Sequence, residues 1–567
     1  MHAVPKERKE GNFSQRRRAA SIAELERGVF DVLVVGGGIT GAGVAREAAL
    51  RGLRVALVER RDFAFGTSSR SSKLIHGGLR YLEQGDVGLV REAATERQTI
   101  RRLAPYLVRP VEMLVPVASR RGQAKLRVGL WAYDKIARVP EEERHRILDK
   151  EEALAVEPLL RPENVHGAGL YYEYLTDDAR LVLAVLKRAA ELGAVALNYA
   201  SVVGLLSDSR GVQGAEVRDE LGDGTFRVRA RVVVNAAGPW VDAVRLLGDG
   251  GRPRLHLTKG VHLVVPREKV PVGRIVVMSA RDRRSVFAVP RERVVYVGTT
   301  DTDYEGSFDD PPVSLEDAEY LLDAVVRTLR CGSLEPSDVC AAWAGLRPLL
   351  HEEGKKPSEI SRRDEIWVEK NGLVSVAGGK LTTFRKMAQR VLEKVEERLR
   401  AQGVSVPPDR GASDVDPLSG GETGQDLSAY AHGLRARWPA VAPEAIERLV
   451  AIYGSLAERI LGRMTAEPEL AEPLTPGSPV TRAEVEYAVT EEMAATLRDF
   501  LERRTRMLLF DLRNGLPEAP EAARLLGELL GWSEHRVREE AAAYAESVRA
   551  LRTFVSGRVA GRRTAHA

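Results

Sequence analysis

Three glycines at a fixed spacing, Gly36, Gly38 and Gly41, form the pattern G-x-G-x-x-G. Each has its own part in holding a dinucleotide. The first permits a tight turn, the second leaves the backbone bare for a pyrophosphate, and the third lets the following helix lie close to the preceding strand. The start of that helix then presents N–H groups and the positive end of its dipole to the phosphates. Glu59 stands near the offset at which a carboxylate accepts hydrogen bonds from the adenosine ribose. Two later segments repeat the form of a strand running into small residues: Asn235-Ala236-Ala237-Gly238, and Gly378-Gly379 ahead of a helical stretch.

The elements around the glycines suit that chemistry. Phe30–Val35 is a short apolar run of the kind found in buried parallel strands. Ala42–Arg51 reads as a helix ended by Gly52, and Arg54–Val58 as a second strand, together a βαβ unit. Phe65–Tyr81, rich in Gly, Ser and basic residues, reads as a loop, and Asp86–Leu107 as a helix. Strand-like runs follow at Val111–Val117, Arg231–Val234, Val261–Val265, Ser285–Val289 and Val294–Gly298, which suggests an antiparallel sheet inserted into the dinucleotide-binding fold. Asn371–Val376 reads as a further strand, and Thr382 to about Arg400 as a helix.

The chain has 567 residues, above the ~250–300 at which one hydrophobic core stops growing. Four stretches are expected: an N-terminal extension over 1–28, a discontinuous cofactor domain with its inserted sheet over 29–400, a linker over 401–425, and a helical domain over 426–567. The last either caps the site or forms a homodimer surface. Cys331 and Cys340 are too few for a disulfide framework or a structural zinc site, so no metal is expected. They read as two small buried residues in a reducing cytoplasm. The net charge of +4, from 85 basic and 81 acidic residues, fits an anionic substrate and an anionic membrane surface equally well. No long basic patch with stacking aromatics points to nucleic acid. The polar, basic stretch Met1–Arg18 has no apolar core of a secretory signal, and a short helix follows near Ser21–Arg27. No run approaches the ~18 apolar residues that span a bilayer. Arg120–Arg146, basic with interleaved Leu130, Trp131, Tyr133 and Ile136, has two readings: a helix lying in a membrane interface, or a solvated helix with one core-facing stripe.

Three features favour FAD over NAD. The glycine turn opens a much longer chain, no second fingerprint with a trailing acid appears, and the two later small-residue segments resemble the second and third FAD contacts of glutathione-reductase-type flavoproteins. The expected fold class is therefore α/β: a Rossmann-like FAD-binding domain of glutathione-reductase type, an inserted antiparallel β-sheet substrate domain and an α-helical C-terminal domain.

The stretch Thr67-Ser68-Ser69-Arg70-Ser71-Ser72-Lys73-Leu74-Ile75-His76-Gly77-Gly78-Leu79-Arg80-Tyr81-Leu82-Glu83 resembles the signature of the FAD-dependent glycerol-3-phosphate dehydrogenases. Further matches follow in order: Asp177–Leu183, Asn235–Val241, Lys259–His262, Gly298–Asp301, Gly345–Leu349 and Gly378–Thr383. The resemblance spans most of residues 30–400. It implies oxidation of glycerol 3-phosphate at its secondary alcohol to dihydroxyacetone phosphate, the flavin taking the hydride. Dehydrogenases of the family pass electrons to a membrane quinone, and a related oxidase branch passes them to oxygen. Peripheral attachment at the inner face of the cell membrane would follow from the quinone. An FAD-dependent amine or amino-acid oxidase and a non-enzymatic flavin-binding scaffold remain as alternatives.

Beyond Gly36, Gly38, Gly41 and Glu59, the cofactor side is expected to include Arg60, Thr67, Ser68, Ser72, Lys73, His76, Ala237, Gly238, Gly379, Leu381 and Thr382. A small phosphorylated substrate offers little area for apolar binding, so charge-assisted hydrogen bonds must hold it, and the planar guanidinium matches phosphate oxygens. The resemblance places Arg80, Tyr81, Arg347, Arg362 and Lys380 in the substrate pocket, although Arg363 directly after Arg362 departs from the family pattern. Lys380 would bind the phosphate or stabilise reduced flavin electrostatically. Thr299, Thr300 and Asp301 end a strand and have two readings, a substrate-side wall or a structural turn. His262 is the expected base for the hydroxyl proton, because a neutral imidazole accepts a proton near neutral pH. His76, in the loop expected to cover the flavin, is its rival.

Overall fold

Val32, Leu33, Val34 and Val35 are all buried, as an uninterrupted apolar run demands of a strand covered on both faces. The computed structural model describes residues 11–79, 82, 85–248, 251–350, 364–408 and 411–555. The strand Val29–Val35 runs parallel to Val55–Val58 on one side and to Thr225–Asn235 on the other. Val195–Leu197 and Val374–Ala377 extend the sheet in parallel at its two ends. Glu365–Val368 then adds an antiparallel edge, and the hairpin of Ala200–Asp208 with Gly211–Asp219 attaches to the first half of Thr225–Asn235. This is the Rossmann-like sheet that the sequence pattern predicts.

The helix Ile39–Leu50 packs against the helices Asp178–Glu191 and Phe384–Ala401. Its small residues make this close approach possible. Ala42, Ala45 and Ala48 are buried, and a Cβ on Gly43 would stand 3.0 Å from the Phe384 ring.

A second sheet carries the strands Thr302–Asp303, Leu255–Pro266, Val294–Gly298, Ser285–Arg291, Ile275–Ser279, Val108–Val117, Gly167–Thr176 and Leu74–Ile75, in that order. Ala341–Leu350 pairs along Leu255–Pro266, and Arg146–Leu148 along Gly167–Thr176. Among the described residues its pairings are antiparallel apart from the short parallel match of Ile275-Val276 with Met113-Leu114.

Element ends differ locally from the sequence expectation. The helix expected over Asp86–Leu107 runs Val87–Leu103, capped by Asp86, which accepts the Leu89 amide. It stops where Ala104 leaves helical geometry, and Leu107 closes a turn onto the Ala104 carbonyl before the strand Val108–Val117 begins. The strand expected from Asn371 starts only at Val374. Asn371 and Gly372 make a hairpin turn instead, with the Asn371 side chain accepting the Leu373 amide and Gly372 at φ +87°. The basic segment from Arg120 is helical only to Ala137, because Arg138 takes a left-handed conformation. Cys340 is buried but Cys331 only half-buried, and both are free thiols.

From Leu427 the described chain is largely helical: Leu427–Arg437, Pro443–Tyr453, Ala457–Ala466, Arg482–Glu492, a π-helical turn Asp499–Arg504, Met507–Phe510, Ala519–Leu530 and Glu534–Ala550. The first three pack around Leu434, Ile446, Leu449 and Ile460. The later part does not stand apart, since Met507, Leu508 and Phe510 share a core with Tyr296 and Trp343 of the second sheet. Within the expected linker, Asp416 is tied to Arg46 and Arg188. No helix among the described residues is long and apolar enough to cross a membrane.

Candidate active site

The glycine turn sits where the strand Val29–Val35 meets the helix Ile39–Leu50. Gly36 has φ +112°, and a Cβ there would lie 2.6 Å from the Ala236 carbonyl oxygen. The ends of two neighbouring strands therefore approach closely only because a side chain is missing. Glu59, ending the next strand, accepts the Gly37 amide at 2.7 Å and the Arg61 amide at 2.9 Å. Burial pushes its pKa up against these two bonds. Gly38 offers the helix no side-chain cap, and the Ile39 amide is instead taken by Ser68 Oγ at 2.9 Å. On the neighbouring strand, Ala237 and Gly238 end the run begun at Asn235, whose buried side chain binds the Ala237 amide and the Val241 carbonyl. A bare turn at a helix N-terminus, a carboxylate at the next strand end and small residues at the third strand end fit an adenine dinucleotide.

The loop after Glu59 carries this cradle to the second sheet. Thr67 Oγ1 donates to the Leu346 carbonyl at 2.6 Å. Ser71 and Lys73 both reach the buried carboxylate of Asp178, Lys73 Nζ at 2.6 Å. The Lys73 ammonium also faces the rings of Trp343 and Phe510. It is thus turned into the protein rather than toward the glycine turn. Ser72 Oγ lies 2.8 Å from His262 Nε2.

His262 is only 3 % exposed. Its ring stacks on Trp343 at 4.7 Å between centroids, with the planes 9° apart, and its Nδ1 is buried without a hydrogen-bond partner. A Cβ on Gly298 in the adjacent strand would overlap the imidazole outright, so the ring occupies space that a glycine has to leave open. Burial, then the cations of Arg347 and Lys73, hold the His262 pKa well below the ordinary histidine value. The imidazole is therefore neutral, the form in which it accepts a proton.

Arg347 lies across Gly260, where a Cβ would overlap the guanidinium. It donates to Asp301 Oδ1 at 2.8 Å, and to Thr299 Oγ1 and the Thr300 carbonyl at 3.2 Å each. The Thr300 hydroxyl is buried and accepts the Val261 amide at 3.0 Å, so it braces the strand that carries His262. Gly378 and Gly379 both have positive φ, and Gly379 backs onto Met387. Lys380 precedes the short turn Leu381–Thr383, where Thr382 is buried, and the helix Phe384–Ala401 follows at once.

Besides Lys73, two further expected cofactor residues make contacts of other kinds. Arg60 is paired with Asp309 and lies over the Trp240 ring at 5.0 Å. The His76 ring is 6.1 Å from Phe287 of the second sheet. Arg80, Tyr81 and Arg362 lie outside the described residues. Sequence reasoning missed Trp343, Phe510 and Asp178 as partners in this cluster, and read Asp301 only as part of a wall or turn, not as the partner of Arg347. A signal for the cluster was present in Gly260 and Gly298, glycines inside strand patterns that mark a close approach by another group.

The comparisons with known proteins follow the same lines. A family profile described as "FAD dependent oxidoreductase" matches residues 31–385, and one described as the "C-terminal domain of alpha-glycerophosphate oxidase" matches residues 413–537. The fold and its glycine turn thus define an FAD-dependent oxidoreductase. An aerobic glycerol-3-phosphate dehydrogenase of Staphylococcus aureus strain USA300 is 40% identical over 539 residues, covering 92% of this chain and 94% of its own. The crystal structure of the glycerol-3-phosphate dehydrogenase from Bacillus halodurans complexed with FAD superposes with a TM-score of 0.81 at 35% identity, covering 96% of this chain and 99% of that one. An L-alpha-glycerophosphate oxidase from Mycoplasma pneumoniae, at 18% identity and TM-score 0.51, shares the fold over 69% of this chain. The chain belongs to the FAD-dependent glycerol-3-phosphate dehydrogenase family.

Proposed function

We propose that this protein oxidises sn-glycerol 3-phosphate at C2 to dihydroxyacetone phosphate and passes the electrons to a membrane quinone. The observation that carries the reading is the placement of His262, buried against the Trp343 ring with its Nδ1 unpartnered, on the strand that pairs with the one carrying Arg347. Bound FAD supplies the two-electron acceptor. His262 takes the C2 hydroxyl proton as the hydride leaves, and Ser72, hydrogen-bonded to Nε2, sets the ring orientation. The guanidinium of Arg347, steadied by Asp301, binds the phosphate. Arg80, Tyr81, Arg362 and Lys380 complete the anion pocket in this proposal. The helices beyond the segment 401–425 cap the site from behind, with Phe510 against Trp343.

Anaerobic addition of glycerol 3-phosphate to the yellow protein tests the reading. The visible flavin band is expected to bleach, and to return when a quinone analogue is added. Return with oxygen alone, and hydrogen peroxide in equal amount, would assign the oxidase branch. Bleaching by sarcosine-like amines and not by glycerol 3-phosphate would replace the reading altogether.

Replacing the guanidinium tests its place in the pocket. Arg347→Met is expected to raise KM for glycerol 3-phosphate by about 10- to 100-fold, the loss of a hydrogen-bonded charge worth ~1.5–3 kcal/mol. Turnover of unphosphorylated glycerol should change far less. Steady-state kinetics on the two substrates check this, and an equal loss on both would move the phosphate site elsewhere.

Peripheral membrane contact belongs to the same proposal. On the helix Arg120–Ala137, Trp131 is 58% and Val128 66% exposed. They share that outer surface with the exposed Arg120, Arg121, Lys125, Arg127 and Lys135. Exposed apolar residues in a basic helix suit an anionic bilayer surface. The protein is expected to sediment with vesicles of mixed neutral and anionic phospholipid at low salt. Trp131→Glu should weaken that binding about tenfold or more, since burying one large apolar side chain is worth ~1.5–3 kcal/mol. Failure of the unaltered protein to sediment removes the membrane reading.

A further inference from the structure

The residues that hold the glycine turn from outside belong to the loop 59–70. Glu59 accepts the Gly37 amide, and the Ala64 amide donates to the Gly37 carbonyl at 3.0 Å. The Phe63 ring lies so near Gly37 that a Cβ there would stand 2.7 Å from it. Ser68 takes the first amide of the helix behind the turn. The loop that shapes the cradle is in turn gripped by the π-helical turn Asp499–Arg504 of the C-terminal part.

Asp62, between Glu59 and Phe63, is 0% exposed. Arg504 holds both of its carboxylate oxygens, Arg503 Nε donates to Oδ2 at 2.6 Å, and Asn198 donates to Oδ1 at 3.1 Å. Burial works against the Asp62 charge, but the Arg504 and Arg503 cations outweigh it and keep the carboxylate ionised. Arg503 continues to Asp499, and Arg504 to the Glu492 carbonyl. At the far end of the loop, the buried Arg70 donates to Asp310 and feels the Glu502 carboxylate. Despite its burial, Glu502 is held at about 2 by Arg498, Arg503 and Arg70.

We infer that Arg503 and Arg504 are positioning residues for the cofactor, and that the C-terminal helices retain FAD by clamping the loop 59–70 against the glycine turn. Neither arginine has to touch the dinucleotide. Removing one member of a buried ionic set leaves its partner uncompensated, and the nearest relief for Asp62 is movement of its own loop toward water. That movement draws Phe63 and Ala64 off Gly37, which opens the cradle from behind.

The test uses the full-length holoenzyme and four variants: Arg504→Met, Arg504→Lys, Asp62→Asn and, as a comparator, Glu491→Gln. Glu491 pairs with Lys187, Arg459 and Arg463, a charge cluster that joins the C-terminal helices to the helix Asp178–Glu191 through side chains other than those on Asp62. The readouts are FAD release on dilution, the Kd for FAD on reconstitution, and the rise in Tm that FAD produces in the apoprotein. Arg504→Met and Asp62→Asn are expected to raise the Kd about tenfold or more and to shrink the FAD-induced rise in Tm, with partial recovery in Arg504→Lys. Glu491→Gln should lower Tm equally with and without FAD and leave the Kd unchanged. If Arg504→Met does not fold, the near-isosteric Asp62→Asn decides alone. An unchanged Kd in the folded variants, or an equal rise in Glu491→Gln, overturns the clamp.

Discussion

His262→Gln is expected to slow anaerobic flavin reduction by glycerol 3-phosphate by about 10²–10⁴-fold, the range that a positioned general base contributes. Binding should change little, because glutamine keeps a group able to bond Ser72 and the proposed phosphate contact rests on Arg347. Stopped-flow spectroscopy separates the two effects, since the limiting reduction rate falls while the substrate concentration giving half that rate stays nearly constant. The pH dependence follows from the same burial. Because the imidazole titrates well below its ordinary value, it stays neutral from about pH 6.5 upward, and the reduction rate should show no step there from this group.

Stability responds in the matching direction. Below about pH 6.5 the unfolded chain binds a proton at this position that the folded protein refuses. The stabilisation from keeping His262 neutral is complete above that pH and is lost as pH falls toward the folded-state pKa. His262→Gln should therefore flatten part of the decline in stability below pH 6.5, measured by denaturant unfolding. Flavin reduction at an undiminished rate in this variant would remove His262 as the base and leave His76 as the next to examine.

Gly41→Ala is expected to yield a protein that purifies without flavin or fails to fold. Elsewhere in a helix, alanine in place of glycine stabilises by about 1 kcal/mol. At Gly41 the new methyl would overlap the Gly36 carbonyl oxygen and stand 3.3 Å from Val34 Cγ1. Backbone of the turn cannot yield as the end of a flexible side chain can, so relief requires the helix to lift from the strand and the cradle to open. Gly43→Ala, two residues further along the same helix, is the contrast. Its methyl would meet the Phe384 ring at 3.0 Å, the Ala388 Cβ at 3.3 Å and the Phe384 carbonyl oxygen at 3.4 Å, contacts that a parting of the two helices by a few tenths of an ångström relieves without disturbing the turn. This variant should keep its flavin with only a small change in Tm. Flavin content after purification, read with thermal unfolding, distinguishes the two. Full flavin in Gly41→Ala would mean that the helix packs on the strand less tightly than the structure shows.

The dinucleotide cradle was legible because it is local. The three glycines and Glu59 sit within one βαβ unit, and their roles follow from turn geometry and a helix terminus that any strand-turn-helix creates. The parallel strands were legible for a related reason, since a run such as Val32–Val35 has no polar face to expose. Element ends were less so. Leu107-Val108 extends an apolar pattern whose period does not say where a helix becomes a strand, and Asn371 looks like strand until its side chain is seen closing a turn.

What the sequence determined by itself is the cofactor class, the order of the elements and, through the run from Thr67 to Glu83 and its later companions, the family. What only the tertiary structure decided is which charges face one another. Lys73 stands beside Ser72 in the chain, yet one binds Asp178 and the other His262. Arg503 and Arg504 are two arginines among many until they are found buried on Asp62. The physical reason is range. Turns and periodicities arise between neighbours along the chain, where spacing alone specifies geometry. A buried ion or a depressed histidine pKa depends on desolvation by segments far apart in sequence, and those segments meet only when the two sheets and the C-terminal helices close on one another.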